Sequence, residues 1–168
     1  MQLANLIKIK SGKRIPKGFL LSQKQNSHPY IKVKDMGLYK TKLNNMFEYV
    51  PDELFDKLSK YTVKNDDIIL SIVGTIGNVS IIDKSLNGAN LTENCIKFII
   101  DKSKLLPYYL FYFLISPSGK NEIQKGIIGS TQPKLPFYNI EKININIPSI
   151  AVQQHIVDSI CEVNIICL

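Results

Sequence analysis

Two runs rich in β-branched residues set the frame for this chain. Residues 67–73 (DIILSIV) and 79–83 (VSIID) flank five residues that carry glycine at positions 74 and 77. Such runs read as strands, and a short glycine-bearing connection folds them back as a hairpin. An isolated hairpin is marginal in water, so more strands or a helix must cover its apolar face. The chain offers both. Residues 95–100 (CIKFII) predict a further strand, and residues 107–115 (PYYLFYFLI) are apolar on every side. That second stretch fits a buried helix or a long core strand. Pro107 near its start and Pro117 beyond its end favour the helix.

The rest of the chain is punctuated around this centre. Residues 3–9 alternate loosely, as a strand or a short helix would. Residues 11–18 read as a loop, because Gly12 and Gly18 bracket Pro16. Residues 30–33 (YIKV) alternate as a half-buried strand, and residues 34–45 are polar and irregular. Pro51 and two acids suit the first turn of a short helix over 51–57. Asn87-Gly88 signals a turn. Residues 118–125 predict a polar helix, residues 126–136 a loop and residues 143–147 a short strand. Ser149 can cap a final helix. In that helix Val152, Ile156, Ile160, Val163 and Cys167 recur at steps of three and four, which predicts a one-sided apolar stripe.

Several function classes are disfavoured. No stretch reaches the roughly 20 apolar residues a membrane helix needs, and the opening apolar stretch is broken by Lys8, Lys10 and Lys13, unlike a signal peptide. The expectation is a cytoplasmic protein. Cys95, Cys161 and Cys167 are the three cysteines, and their spacing matches no zinc or redox pattern. Gly74 and Gly77 do not make a dinucleotide fingerprint, and Gly12-Lys13-Arg14 is not a phosphate-binding P-loop. His28 and His155 lie far apart without a nucleophile motif. No metal, cofactor or catalytic residue is expected. The formal net charge of +7, from 21 basic against 14 acidic residues, favours polyanionic partners, nucleic acid first and a membrane surface second.

Six segments follow one another along nearly the whole chain: GKRIPKG at 12–18, YIKVKDM at 30–36, DIILSIVGTIGNV at 67–79, NLTENC at 90–95, IGSTQPKL at 128–135, and INIP at 145–148 leading into QQHI at 153–156. In this order they resemble the specificity subunits of type I restriction-modification systems. The resemblance implies an α+β fold, a mixed, twisted β-sheet with packed helices, that ends in the start of a connector helix. It implies a DNA target-recognition domain over residues 1–148 and the truncated beginning of that helix over residues 149–168. Residues 161–168 depart from the polar, heptad-like character the family has there. The expected ligand is double-stranded DNA, bound without a cofactor. The expected partners are methyltransferase and restriction subunits, with a second recognition domain or a second copy of the chain, and no membrane. The alternative is a non-catalytic subunit-interaction protein, or a truncated remnant with weak non-specific DNA binding.

The residues suggest how such a domain meets DNA. Lys13, Arg14 and Lys17 share a glycine-flanked loop and suit phosphate contacts. Lys32 and Lys34, two apart, are expected on one face of the Tyr30 strand. Lys40, Lys42 and Asn44 lie within residues 35–61, where sequence choice is expected to concentrate because this stretch departs most from any regular pattern. Thr75 and Asn78 occupy the glycine loop, and an Asn amide can pair with adenine through two hydrogen bonds. Ser130, Thr131 and Gln132 are hydrogen-bonding side chains on one loop, followed by Lys134 for a phosphate.

Overall fold

The computed structural model describes residues 1–164. It contains two sheets and five helices. The larger sheet has five strands in the order β1-β8-β5-β6-β3 and the smaller has three in the order β4-β2-β7. The strands are β1 (Ile7–Ser11), β2 (Pro29–Ile31), β3 (Lys40–Thr41), β4 (Glu48–Tyr49), β5 (Ile68–Ser71), β6 (Val79–Ile82), β7 (Asn90–Leu91) and β8 (Cys95–Ile100). The helices are α1 (Asp52–Leu58), α2 (Pro107–Ile115), α3 (Pro117–Gly126), α4 (Phe137–Glu141) and α5 (Ile150–Asn164). In the larger sheet every pairing is antiparallel except β3 with β6.

Alternation along each strand decides which face is covered. Ile7 and Ile9 of β1, and Ile96, Phe98 and Ile100 of β8, join one core with Leu110, Phe111 and Leu114 of α2. Each fully buried aliphatic side chain contributes about 1.5–3 kcal/mol relative to exposure. The opposite face carries Ile69, Ile82 and Cys95, which pack against Ile31 and Leu91 of the smaller sheet and against Phe47 and Val63. The two sheets thus share a second core. A third cluster joins Tyr30 and Val50 to Leu54 and Leu58 of α1.

The hairpin, the strand at 95–100 and the helix at 107–115 form as the sequence predicts. The helix over 51–57 is displaced by one residue, with Pro51 as its cap. Two expectations are corrected. Residues 143–147 form no strand. Ile143 and Ile145 point into the core, but their pairing with the N-terminus stops at one bridge, Gln2 with Asn144. The second correction concerns α5. Val152 and Val163 are exposed, and the inward face runs through Gln153 and Val157. Gln153 is wholly buried because three partners surround its amide. Its Oε1 accepts the Leu106 amide, and its Nε2 donates to the carbonyls of Lys104 and Pro148, all at 2.9 Å. These bonds fix the first turn of α5 to the start of α2. Ser149 caps α5 weakly, accepting the Val152 amide at 3.4 Å. Cys167, the last position of the predicted stripe, lies outside the described residues.

Candidate nucleic-acid interface

The register of the larger sheet sorts the candidate residues. Ser11 lies opposite Ile96, Ser71 opposite Cys95, Leu70 opposite Val79, and Lys40 opposite Ile81. The C-terminal ends of β1 and β5 therefore meet the N-terminal ends of β8, β6 and β3 along one end of the larger sheet. The segments at residues 12–18, 92–94, 74–78 and 36–39 all leave the sheet at this common end.

Each segment is pinned. Gly12 passes so close to β7 that an added Cβ would lie 2.1 Å from the Thr92 carbonyl oxygen and 2.2 Å from that of Leu91. The Lys13 amide then donates to Leu91, and the Tyr30 hydroxyl donates to the Lys13 carbonyl at 2.8 Å. The glycine loop at 74–78 is tied to Ser71, whose buried hydroxyl donates to the Thr75 carbonyl and accepts the Asn78 amide at 2.9 Å. Gly74 and Gly77 both take positive φ there, which side chains with a Cβ resist. Residues 129–133 form a tip closed by paired hydrogen bonds between Ile128 and Lys134. That tip is bound to β5 by the Val73–Lys134 bridge and by the Leu135 amide on the Ile72 carbonyl at 2.9 Å. The two loops singled out in sequence are therefore neighbours, joined by a bridge between residues 61 positions apart along the chain.

Thr75, Asn78, Ser130, Thr131, Gln132 and Lys134 are all exposed on this pair of loops, and Lys13, Arg14 and Lys17 are exposed on the loop at 12–18. Arg14 donates to Glu93 at 2.6 Å. That carboxylate raises the Arg14 pKa, so its charge is permanent. Burial pushes the Glu93 carboxyl up, but hydrogen bonds from Arg14, its own backbone and Thr92 outweigh burial and leave it below its ordinary range.

Lys32 and Lys34 do not share a strand face, as period two had suggested. β2 ends at Ile31, and the Asp35 carboxylate reaches back to the Lys32 amide at 2.9 Å, which winds residues 33–35 into a 3-10 turn. Lys34 stays exposed, whereas Lys32 is ion-paired with Glu48. Burial, helped by the Lys34 charge, lowers the Lys32 pKa. Two other candidates, Lys42 and Asn44, sit elsewhere, and Lys40 is drawn to Asp83. β3 runs parallel to β6, so residues after Thr41 leave by the opposite end of the sheet. Lys40 lies 3.6 Å from Asp83, Lys42 is exposed beyond it, and the Asn44 side chain accepts the Met46 amide at 2.8 Å.

Two residues at the loop end escaped the sequence reading. Leu38 is 80% exposed, and it borders a cleft of about 400 Å³ with Tyr39, Gly77, Asn78 and Lys120. A leucine beside glycine in a largely polar segment is a signal that sequence offers. Lys120 lies on α3 and has none, because only tertiary packing carries it there. Among the described residues no group of three or more His, Cys, Asp or Glu side chains is placed to hold a metal, and no helix is long and apolar enough to cross a membrane.

The family described as type I restriction modification DNA specificity domain matches residues 1–163. A curated relative, the type I restriction enzyme MjaVIII specificity subunit of Methanocaldococcus jannaschii, is 25% identical over 158 residues, covering 92% of this chain and 36% of the relative. The S subunit of a type I restriction-modification system from M. genitalium superposes with a TM-score of 0.67 at 16% identity, over 96% of this chain and 37% of that one. The HsdS subunit of Thermoanaerobacter tengcongensis gives 0.67 at 15% identity, over 96% and 35%. A chain from a structure of type I R-M complex assembly and conformational transition gives 0.72 at 16% identity, over 96% and 37%. The chain thus spans little more than a third of the proteins it matches.

Proposed function

The chain belongs to the type I restriction modification DNA specificity domain family, and from that premise we propose that it reads the sequence of double-stranded DNA with the loops gathered at one end of its five-stranded sheet. The observation that carries this reading is the shared register, which brings exposed Thr75, Asn78, Ser130, Thr131 and Gln132 together with exposed Lys13, Arg14, Lys17 and Lys134. Hydroxyl and amide side chains suit base edges, and flexible cations suit phosphates. Leu38 adds an apolar contact of the kind a thymine methyl accepts. Lys42 and Asn44 stand outside this surface, and Lys40 is engaged with Asp83.

The size of the edge bounds what it reads. Neighbouring strands are about 4.8 Å apart, so five strands make an edge of about 19 Å. At about 3.4 Å per base pair that spans about five or six pairs. One good bidentate contact gives about 1–3 kcal/mol of discrimination, so a lone domain binds modestly and gains from a second one on the same DNA. The role is non-catalytic. Residues 1–148 act as the recognition domain, and α5 begins the connector through which methyltransferase and restriction subunits, and a second recognition domain or second copy, are engaged. Such work belongs in the cytoplasm.

Duplex binding measured by fluorescence anisotropy across a salt series tests this reading. A log–log slope of about 0.9 per neutralised phosphate is expected, with affinity that varies among duplex sequences. Folded protein that binds no duplex at low salt, or binds every sequence alike, contradicts it.

A further inference from the structure

A second cationic surface lies beside the loop end, on the sheet face turned away from α2. A cleft of about 300 Å³ there is lined by Lys10, Lys60, Lys97, Tyr61 and Thr62, among others. Lys10 and Lys97 are directly opposed across the β1–β8 ladder. Like charges in that position repel and weaken a sheet. Asp67, 3.0 Å from the Lys97 ammonium, compensates one of them. The third lysine comes from another part of the fold, the 3-10 turn Ser59–Tyr61 that follows α1.

Lysines on an edge strand such as β1 deter pairing with other chains, which accounts for exposed Lys8 and Lys10. It does not account for Lys60, and Lys97 on the inner strand β8 is already paired with Asp67. An anion in the cleft accounts for Lys60 together with Lys10. The cleft also adjoins the loop at 12–18. Ser11 lines it, and the Lys13 ammonium lies 5.8 Å from the centre of the Tyr61 ring that forms its wall.

We propose that this cleft holds backbone phosphates of the bound duplex, just outside the base pairs met by the loop end, with Lys10 and Lys60 as the contacting cations. The proposal rests on the duplex-reading function above. It makes the footprint longer than the reading edge and adds a sequence-independent grip on that flank.

The test compares wild type with the double variants Lys10→Gln/Lys60→Gln and Lys10→Arg/Lys60→Arg, each checked for native circular dichroism. Removing two phosphate contacts lowers the salt slope of the Gln variant by about 1.8, so a fourfold rise in salt costs wild type about twelvefold more affinity than it costs the variant. The order of preference among duplex sequences stays unchanged, and the Arg variant keeps the wild-type slope. Lengthening the duplex on one flank tightens wild type and not the Gln variant. Equal slopes for wild type and the Gln variant overturn the phosphate cleft and leave the reading edge standing. A variant that changes sequence preference at unchanged slope also overturns it. Failure of wild type to bind any duplex removes both proposals.

Discussion

The hydroxyl of Ser71 accepts the amide of Asn78 at 2.9 Å, and the Ser71 amide donates to the Asn78 carbonyl at the same distance. A buried residue at the end of a core strand thereby sets the shape of an exposed loop. Replacing Ser71 by Ala removes the hydroxyl from both Asn78 and Thr75. Losing such bonds at a buried site costs about 1–2 kcal/mol, which urea denaturation measures. The larger consequence is for the loop, which loses its closure. Duplex affinity and sequence preference are expected to fall together in the Ser71→Ala protein, although Ser71 itself is too deeply buried to touch DNA.

Arg14 and Glu93 form an ion pair that competes with phosphate for the guanidinium. In Glu93→Gln the guanidinium is released and a negative charge is removed from the loop end. Binding to all duplexes should tighten, and the salt slope should rise by up to about 0.9. Weaker binding in this variant would mean that Glu93 positions Arg14 instead of restraining it. The same pair has a pH signature. Glu93 is depressed on folding, so its contribution to stability is complete above its unfolded value of about 4.3 and is lost as pH falls through the folded value. Denaturation series at neutral pH and below pH 4 should show this acid loss in wild type and a smaller one in Glu93→Gln.

Gly12→Ala places a Cβ about 2 Å from two carbonyl oxygens of β7 and its following residue. The backbone must shift, at a cost of about 1–3 kcal/mol, as for other overpacked sites. The loop bearing Lys13, Arg14 and Lys17 moves with it, so thermal stability and duplex affinity both drop. Preserved affinity in this variant would remove that loop from the binding surface.

Gln153 tests the junction between the start of α2 and α5. Gln153→Leu conserves volume but leaves three part-buried groups without their partner, the Leu106 amide and two carbonyls. A loss of about 1–3 kcal/mol is expected, together with faster hydrogen exchange at the start of α5. Duplex binding by the loop end should change little, because this junction packs against α2 and not against residues 74–78 or 129–134.

The local elements were legible in sequence, and their assembly was not. The hairpin around Gly74, the strand at 95–100 and the helix between Pro107 and Pro117 carry their periods and boundaries within a dozen residues. The convergence of loops depends on pairings such as Ser11 with Ile96 and Val73 with Lys134, which leave no local trace. Lys32 and Lys34 were misplaced because strand alternation was extended past Ile31. The Asp35 carboxylate three residues after Lys32 was the available sign of a turn. The stripe on α5 was misjudged because Gln153 counted as polar and therefore outward, when unpaired groups at the start of α2 draw it inward. Lys40 looked free in sequence, and only the parallel β3–β6 pairing reveals Asp83 beside it.

On the proposed reading, the Gln132 amide meets base edges and Lys134, two residues further on the same tip, holds a phosphate. Lys134→Gln should weaken binding to every duplex by a similar factor, whereas Gln132→Ala should alter the ranking of duplexes. Equal effects of both substitutions on all sequences would dissolve that assignment.

Selection from a pool of randomised duplexes tests the central claim most directly. Wild-type protein is expected to enrich a motif of about five or six base pairs, the span of the sheet edge, and Asn78→Ala or Gln132→Ala to change the bases enriched at particular positions. A pool that emerges without a motif, or a motif unmoved by substitutions throughout residues 74–78 and 129–134, would contradict the claim that this end of the sheet reads DNA.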